Sequence, residues 1–132
     1  MASETITRND LKAVLDEVLP NTSADYIVEQ GTNGIWTYRK WNSGLYDAWY
    51  IGTINLLAGT AWLNGAYFHM ASSTLTPPSF SIAVTDLVGA CNSGTLNMYA
   101  GHNENYQTYW VNGSSGTMDS VAVRLDMHGR WK

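Results

Sequence analysis

The chain has 132 residues, of which 45% are hydrophobic, 12% aromatic and only 14% charged, with a formal net charge of −4. That length suits one domain able to bury roughly two-thirds of its unfolded surface without disulfides, and the single cysteine, Cys91, can form no internal bridge. No Lys or Arg falls between Ile51 and Val123, where the acids are Asp86, Glu104 and Asp119 alone, so no basic track for a phosphate backbone can be built there and nucleic acid is excluded as a partner.

The first residues, MASETITRND, lack the apolar stretch of a secretory leader. No apolar run approaches the roughly 18 residues of a membrane span. The expectation is synthesis in a host cytoplasm without membrane insertion. Residues 1–29 hold six of the eleven acids, and their pattern is helical. Thr7 is a candidate N-cap, with Asp10 at N3 and an Ile6–Leu11 hydrophobic staple. Leu11, Val14, Leu15, Val18 and Leu19 form one apolar stripe, and Pro20 and Asn21 end it. A helix of about three turns is unstable alone, so the stripe must pack on something. Two destinations stay open: the helix's own domain, or identical helices in a small bundle. The Asn21-Thr22-Ser23-Ala24 join favours a separable arm over residues 1–24, followed by a β domain over 25–132.

From Tyr26 onward the texture is β. Tyr26–Glu29 reads as a short strand ending at Gly31–Gly34. Ile35–Trp41 and Leu45–Ile51 flank Asn42-Ser43-Gly44, a three-residue hairpin connection whose Gly suits the left-handed position. Further strands are expected at Thr60–Met70, Ser79–Leu87, Gly94–Ala100, Tyr106–Val111 and Ser120–Met127. Many short strands without intervening helices indicate a mainly β, antiparallel sandwich or barrel, preceded here by the short α-helix. In the aromatic hairpin, neither face is cleanly apolar, so both are expected to be covered. Ile35, Trp41, Leu45, Trp49 and Ile51 are assigned to the core. Tyr38, Tyr46 and Tyr50 are assigned to an interface between subunits, together with the helical stripe Leu11, Val14, Leu15, Val18 and Leu19.

The hairpin pattern Gly34, Trp36, Trp41, Gly44, Trp49, the later Pro77, Pro78, Phe80, Ile82, Val84 and the closing Gly129-Arg130-Trp131-Lys132 carry a resemblance. Over residues 31–132 the layout resembles the C-terminal knobs of bacteriophage tail fibres and related virion tip proteins. The resemblance implies a jelly-roll-like β-sandwich knob, a homotrimer in contact with other virion proteins, and attachment to a host cell-surface glycan. Such fibres place a long shaft before the knob, where this sequence has a short helical segment. A separately encoded head or tail appendage is therefore expected. Trp131, next to the last residue, is expected to sit in a neighbour's groove or on its own sheet. Two alternatives stand beside this reading: a ligand-free capsid or tail decoration or capping protein, and a free carbohydrate-binding module.

No nucleophile elbow, zinc-protease helix, phosphate loop or dinucleotide-binding glycine pattern occurs. His69, His102 and His128 lack metal-ligand spacing, and neither an enzyme nor a metal or cofactor is expected. The candidate ligand segment is a loop of His102, Asn103, Glu104 and Asn105 with Tyr106, Tyr109 and Trp110 on the strand behind it. Amides and carboxylates can hydrogen-bond sugar hydroxyls while aromatic faces stack on sugar C–H groups. An ordinary polar loop over a core strand is the competing reading.

Overall fold

A computed structural model describes residues 25–91 and 98–132. The expected N-terminal helix and its apolar stripe, Leu11 to Leu19, lie outside the described residues. Within them are nine strands: β1 (Ile27–Asn33), β2 (Trp36–Trp41), β3 (Leu45–Leu56), β4 (Thr60–Ala61), β5 (Tyr67–Met70), β6 (Ala83–Cys91), β7 (Met98–His102), β8 (Thr108–Asn112) and β9 (Met118–Arg130). They form two antiparallel sheets, β1-β2-β3-β9-β6 and β4-β5-β8-β7.

The β2–β3 hairpin closes as its sequence indicates. Gly44 has φ of 97° and donates its N–H to the Trp41 carbonyl at 3.0 Å, a left-handed conformation that glycine adopts without strain. The expected strand over Thr60–Met70 is instead a hairpin. Asn64 and Gly65 both take positive φ, 45° and 82°, and Ala66 donates back to Leu63. Asn-Gly is a strong two-residue turn signal because both residues tolerate the left-handed region.

β9 is the axis of the larger sheet, paired with β3 on one side and β6 on the other. Its Val121, Val123, Leu125 and Met127 face inward and are buried, alternating with Ala122, Arg124, Asp126 and His128. They meet Trp36, Tyr46, Ala48 and Leu87 of the same sheet and Trp110 of the smaller one in a single core cluster. The sheets approach closely at Gly89. A Cβ there would stand 2.6 Å from the Tyr99 ring and 2.8 Å from Trp110, so the bare backbone is what lets the two layers seat.

His69 fastens the open end of the smaller sheet. It is fully buried, with Nδ1 2.9 Å from the Leu57 carbonyl and Nε2 2.7 Å and 2.8 Å from the Ser114 carbonyl and Asn112 Oδ1. It thus joins the β3–β4 connection to the segment after β8.

The hairpin's faces are the reverse of the expected ones. Tyr46 is 1% exposed and Tyr38 9%, both in the core, whereas Ile51 is 68% and Leu45 45% exposed. Trp41 and Trp49 are half-buried on the outer face. The tyrosines can enter because their hydroxyls find partners at the sandwich margin: Tyr38 donates to Glu29 at 2.6 Å, and Tyr46 shares a 2.8 Å bond with Ser81. Phe80 packs against both rings, 4.6 Å and 5.2 Å between centroids.

Candidate functional site

The segment singled out as a ligand loop is largely consumed by its own fold. Asn103 Oδ1 accepts the N–H groups of Asn105 and Gln107, and its amide donates to Gln107 Oε1 at 3.1 Å. The Gln107 amide in turn donates to the Ala71 carbonyl at 2.7 Å. Trp110 is 0% exposed and gives its indole N–H to Thr108, so it offers no face to a ligand. Tyr109 stacks on Phe68 and half-buried Tyr106 on His102. Glu104 and Asn105 are exposed at the tip. The structure brings these residues together as an internally hydrogen-bonded turn over a core strand.

Trp131 is tied into its own chain. Its indole N–H donates to the Trp41 carbonyl at 2.9 Å and its backbone N–H to Gly44. Its ring lies 5.2 Å from the Lys40 ammonium, which also faces Phe80 at 4.5 Å and Tyr38 at 5.9 Å. Glu29 completes this cage with a 3.0 Å ion pair to Lys40. Its carboxyl is held below its ordinary value first by the Tyr38 hydroxyl and then by Lys40. Tyr38, Tyr46 and Trp131 make these contacts within their own chain, and Tyr50 lies at the cleft described below.

Strand register assembles the outer face of the larger sheet row by row. One row runs Arg39, Asp47, His128, Asp86; the next runs Thr37, Trp49, Asp126, Val88; a third runs Ile51, Arg124, Ala90. Arg39 pairs with Asp47 at 3.1 Å and Arg124 with Asp126 at 3.0 Å, while His128 Nδ1 lies 2.6 Å from Asp86 Oδ1. The Arg39 guanidinium lies 5.0 Å from the Trp49 ring and 5.9 Å from Trp41, while the Trp41 indole donates to Asp47. Tryptophan and arginine are the residue types that most often anchor protein interfaces. With Arg39–Asp47 and Arg124–Asp126 already paired on the surface, covering this face need not strand those charges.

A cleft of about 580 Å³ opens beside the β1–β2 turn. Its walls come from four separate stretches: Asn33 to Ile35, Tyr50 with Thr53 to Asn55, Ser72 to Pro77 with Ser79, and Ser120. Asn33 and Ser79 clasp one side, the asparagine amide donating to Ser79 Oγ at 2.8 Å and its oxygen accepting the Ser79 N–H at 2.9 Å. The Trp36 indole fixes the loop by donating to the Thr76 carbonyl at 2.8 Å. Across the opening Asn55 Oδ1 accepts the N–H of Ser120, a serine held at φ of 54°. The sequence reading missed this cleft. The hydroxyl-rich run Ser72-Ser73-Thr74 before Thr76-Pro77-Pro78 was its one local signal.

No protein family matches the sequence. No curated protein matches it. Among solved structures the chain is similar to the R1 pyocin fibre of P. aeruginosa, in a fragment comprising C-terminal residues 323–701, at 18% identity and a TM-score of 0.46. The likeness covers 77% of this chain and 28% of that one.

Proposed function

We propose that the chain is a phage virion structural protein, a homotrimeric fibre-tip or appendage knob that attaches the particle to a host surface through a glycan. The layout of the Trp36–Trp49 hairpin, the Pro77–Val84 strand entry and the closing Gly129–Lys132 suggests the knob class. The observation that carries the assembled state is the outer face of the larger sheet. Ile51, Val88 and Leu45 are 68%, 52% and 45% exposed there, around the Trp41–Arg39–Trp49 ladder. A surface that sets exposed apolar side chains among ion-paired ones is suited to burial against another subunit. No catalytic step belongs to this reading.

Light scattering on the full chain tests it. A mass of three chains is expected. Ile51→Glu, which places a charge at the most exposed apolar point of the face, should shift the mass to one chain while leaving the β-type circular dichroism unchanged. A full chain that runs as a monomer at every concentration would overturn the reading. A trimer indifferent to Ile51→Glu would move the contact elsewhere. A ligand-free capping protein is the second reading, favoured by the self-satisfied hydrogen bonds of the 102–107 turn.

A further inference from the structure

We infer that the cleft between the β1–β2 turn and the 72–79 loop is a binding site for a neutral saccharide. The inference deepens the attachment reading and relies on it only for where the sugar comes from.

The chemistry of the walls selects the ligand class. No charged side chain lines the cleft. A phosphate, sulfate or carboxylate placed there would lose water without gaining a counter-charge, and an uncompensated charge is expensive to desolvate. A purely apolar ligand fares little better, because it would cover the hydroxyls of Ser72, Ser73, Thr74 and Thr76. These four residues, apart from the last one's carbonyl, make no side-chain hydrogen bond within the described protein, and all are exposed. They are free to exchange water for ligand hydroxyls. Half-buried Tyr50, Ile54, Leu75 and Pro77 supply an apolar floor among them. Dense hydroxyls over an apolar floor match a sugar ring, whose equatorial hydroxyls point outward while its C–H faces remain apolar.

The walls are also built in advance. The reciprocal Asn33–Ser79 bonds, the Trp36–Thr76 bond and the Ser72 N–H to Asn55 carbonyl bond at 2.8 Å brace the loop from three sides. Leu75 is tied by its N–H to the Tyr106 carbonyl at 3.2 Å. Ser120 keeps a left-handed backbone, a conformation that costs a non-glycine residue energy and persists where surrounding contacts enforce it. A preformed site loses less ordering entropy on binding than a loop that must first be fixed. The volume, about 580 Å³, lies in the range of small-molecule sites.

The test is a printed array of neutral hexose and N-acetylhexosamine oligosaccharides, with sialylated and sulfated ones beside them, probed with the full chain. Retention on at least one neutral oligosaccharide is expected, and none that requires the acidic groups. The double variant Ser73→Ala/Thr74→Ala removes two exposed hydroxyls with no protein partner, so its melting temperature should match the parent. Its affinity for the retained sugar, by titration calorimetry, should fall tenfold or more. Binding confined to acidic glycans, binding to none, or neutral binding that the double variant leaves intact would each overturn the inference. The mass of the same sample separates the two proposals. A monomer that binds neutral sugar sinks the trimer and keeps the cleft, while a trimer that binds none does the reverse.

Discussion

Replacing Tyr46 by alanine should cost far more stability than replacing Ile51 by serine, although a hydrophobicity scale would rank them the other way. Tyr46 is 1% exposed, meets Phe80 edge-on at 5.2 Å, and shares its hydroxyl with Ser81 at 2.8 Å. Its ring also lies against Gly129, where a Cβ would stand 2.6 Å from the ring carbon Cε1. Truncating a buried aromatic ring costs roughly 3–5 kcal/mol, since the cavity left behind relaxes only in part. Tyr46→Phe, which removes the hydroxyl alone, should cost about 1 kcal/mol. Ile51 is 68% exposed, so in the isolated chain Ile51→Ser should stay within about 0.5 kcal/mol of the parent. Urea denaturation followed by circular dichroism across a dilution series separates the folding cost from any loss of association. Tyr46→Ala should lose its stability at every concentration. The face assignment fails if Ile51→Ser costs as much as Tyr46→Ala in the dilution limit.

Two pH responses follow from the margins of the sandwich. The Glu29 carboxyl lies below its ordinary 4.5 because the Tyr38 hydroxyl, and then Lys40, favour its charged form. A depressed folded-state value means the stabilisation is present above pH 4.5 and is lost as pH falls below it, so Glu29→Gln should give a shallower acid limb in thermal melts. The Tyr99 phenol is pushed up from 10.0 to about 12 by burial, and its hydroxyl donates to the Leu87 carbonyl at 3.0 Å. A raised value means that stabilisation is complete below pH 10 and lost as pH climbs toward 12. Denaturation of Tyr99→Phe should depend less on pH over that window; equal slopes for parent and variant would contradict the burial argument.

The sequence carried the β9 strand plainly, because Val121, Val123, Leu125 and Met127 alternate with Ala122, Arg124, Asp126 and His128. One inward face and one polar outward face is what such alternation means. Gly44 was legible for a local reason too, since a three-residue connection ending in glycine calls for positive φ. Asn64-Gly65 was equally local and was overlooked inside an apolar run. The cleft was not legible, because its walls come from positions 33, 55, 72–79 and 120 and no spacing rule joins them.

The reversed hairpin faces were a different kind of miss, since the deciding signal was present. Arg39 and Asp47 pair across the strands and share parity with Trp41 on β2 and with Leu45, Trp49 and Ile51 on β3. A charged cross-strand pair in a chain with so few charges belongs on the solvent side, because burying it would cost several kcal/mol per ion. That pair places Trp41, Trp49 and Ile51 outward and Tyr38, Tyr46 and Ala48 inward. Tyrosine then occupies the interior only where a distant partner meets its hydroxyl, and Ser81, 35 residues away from Tyr46, is such a partner. Polar pairs, being the costlier groups to misplace, should orient an ambiguous strand before its aromatics do. The same argument accounts for the outer face: once Arg39 must point outward, the indoles of Trp41 and Trp49 lie beside its guanidinium. The arginine Nε is buried there without a hydrogen-bond partner among the described residues. Contact with two ring faces offsets part of that lost hydration, and a subunit covering the ladder would exclude more water and strengthen it.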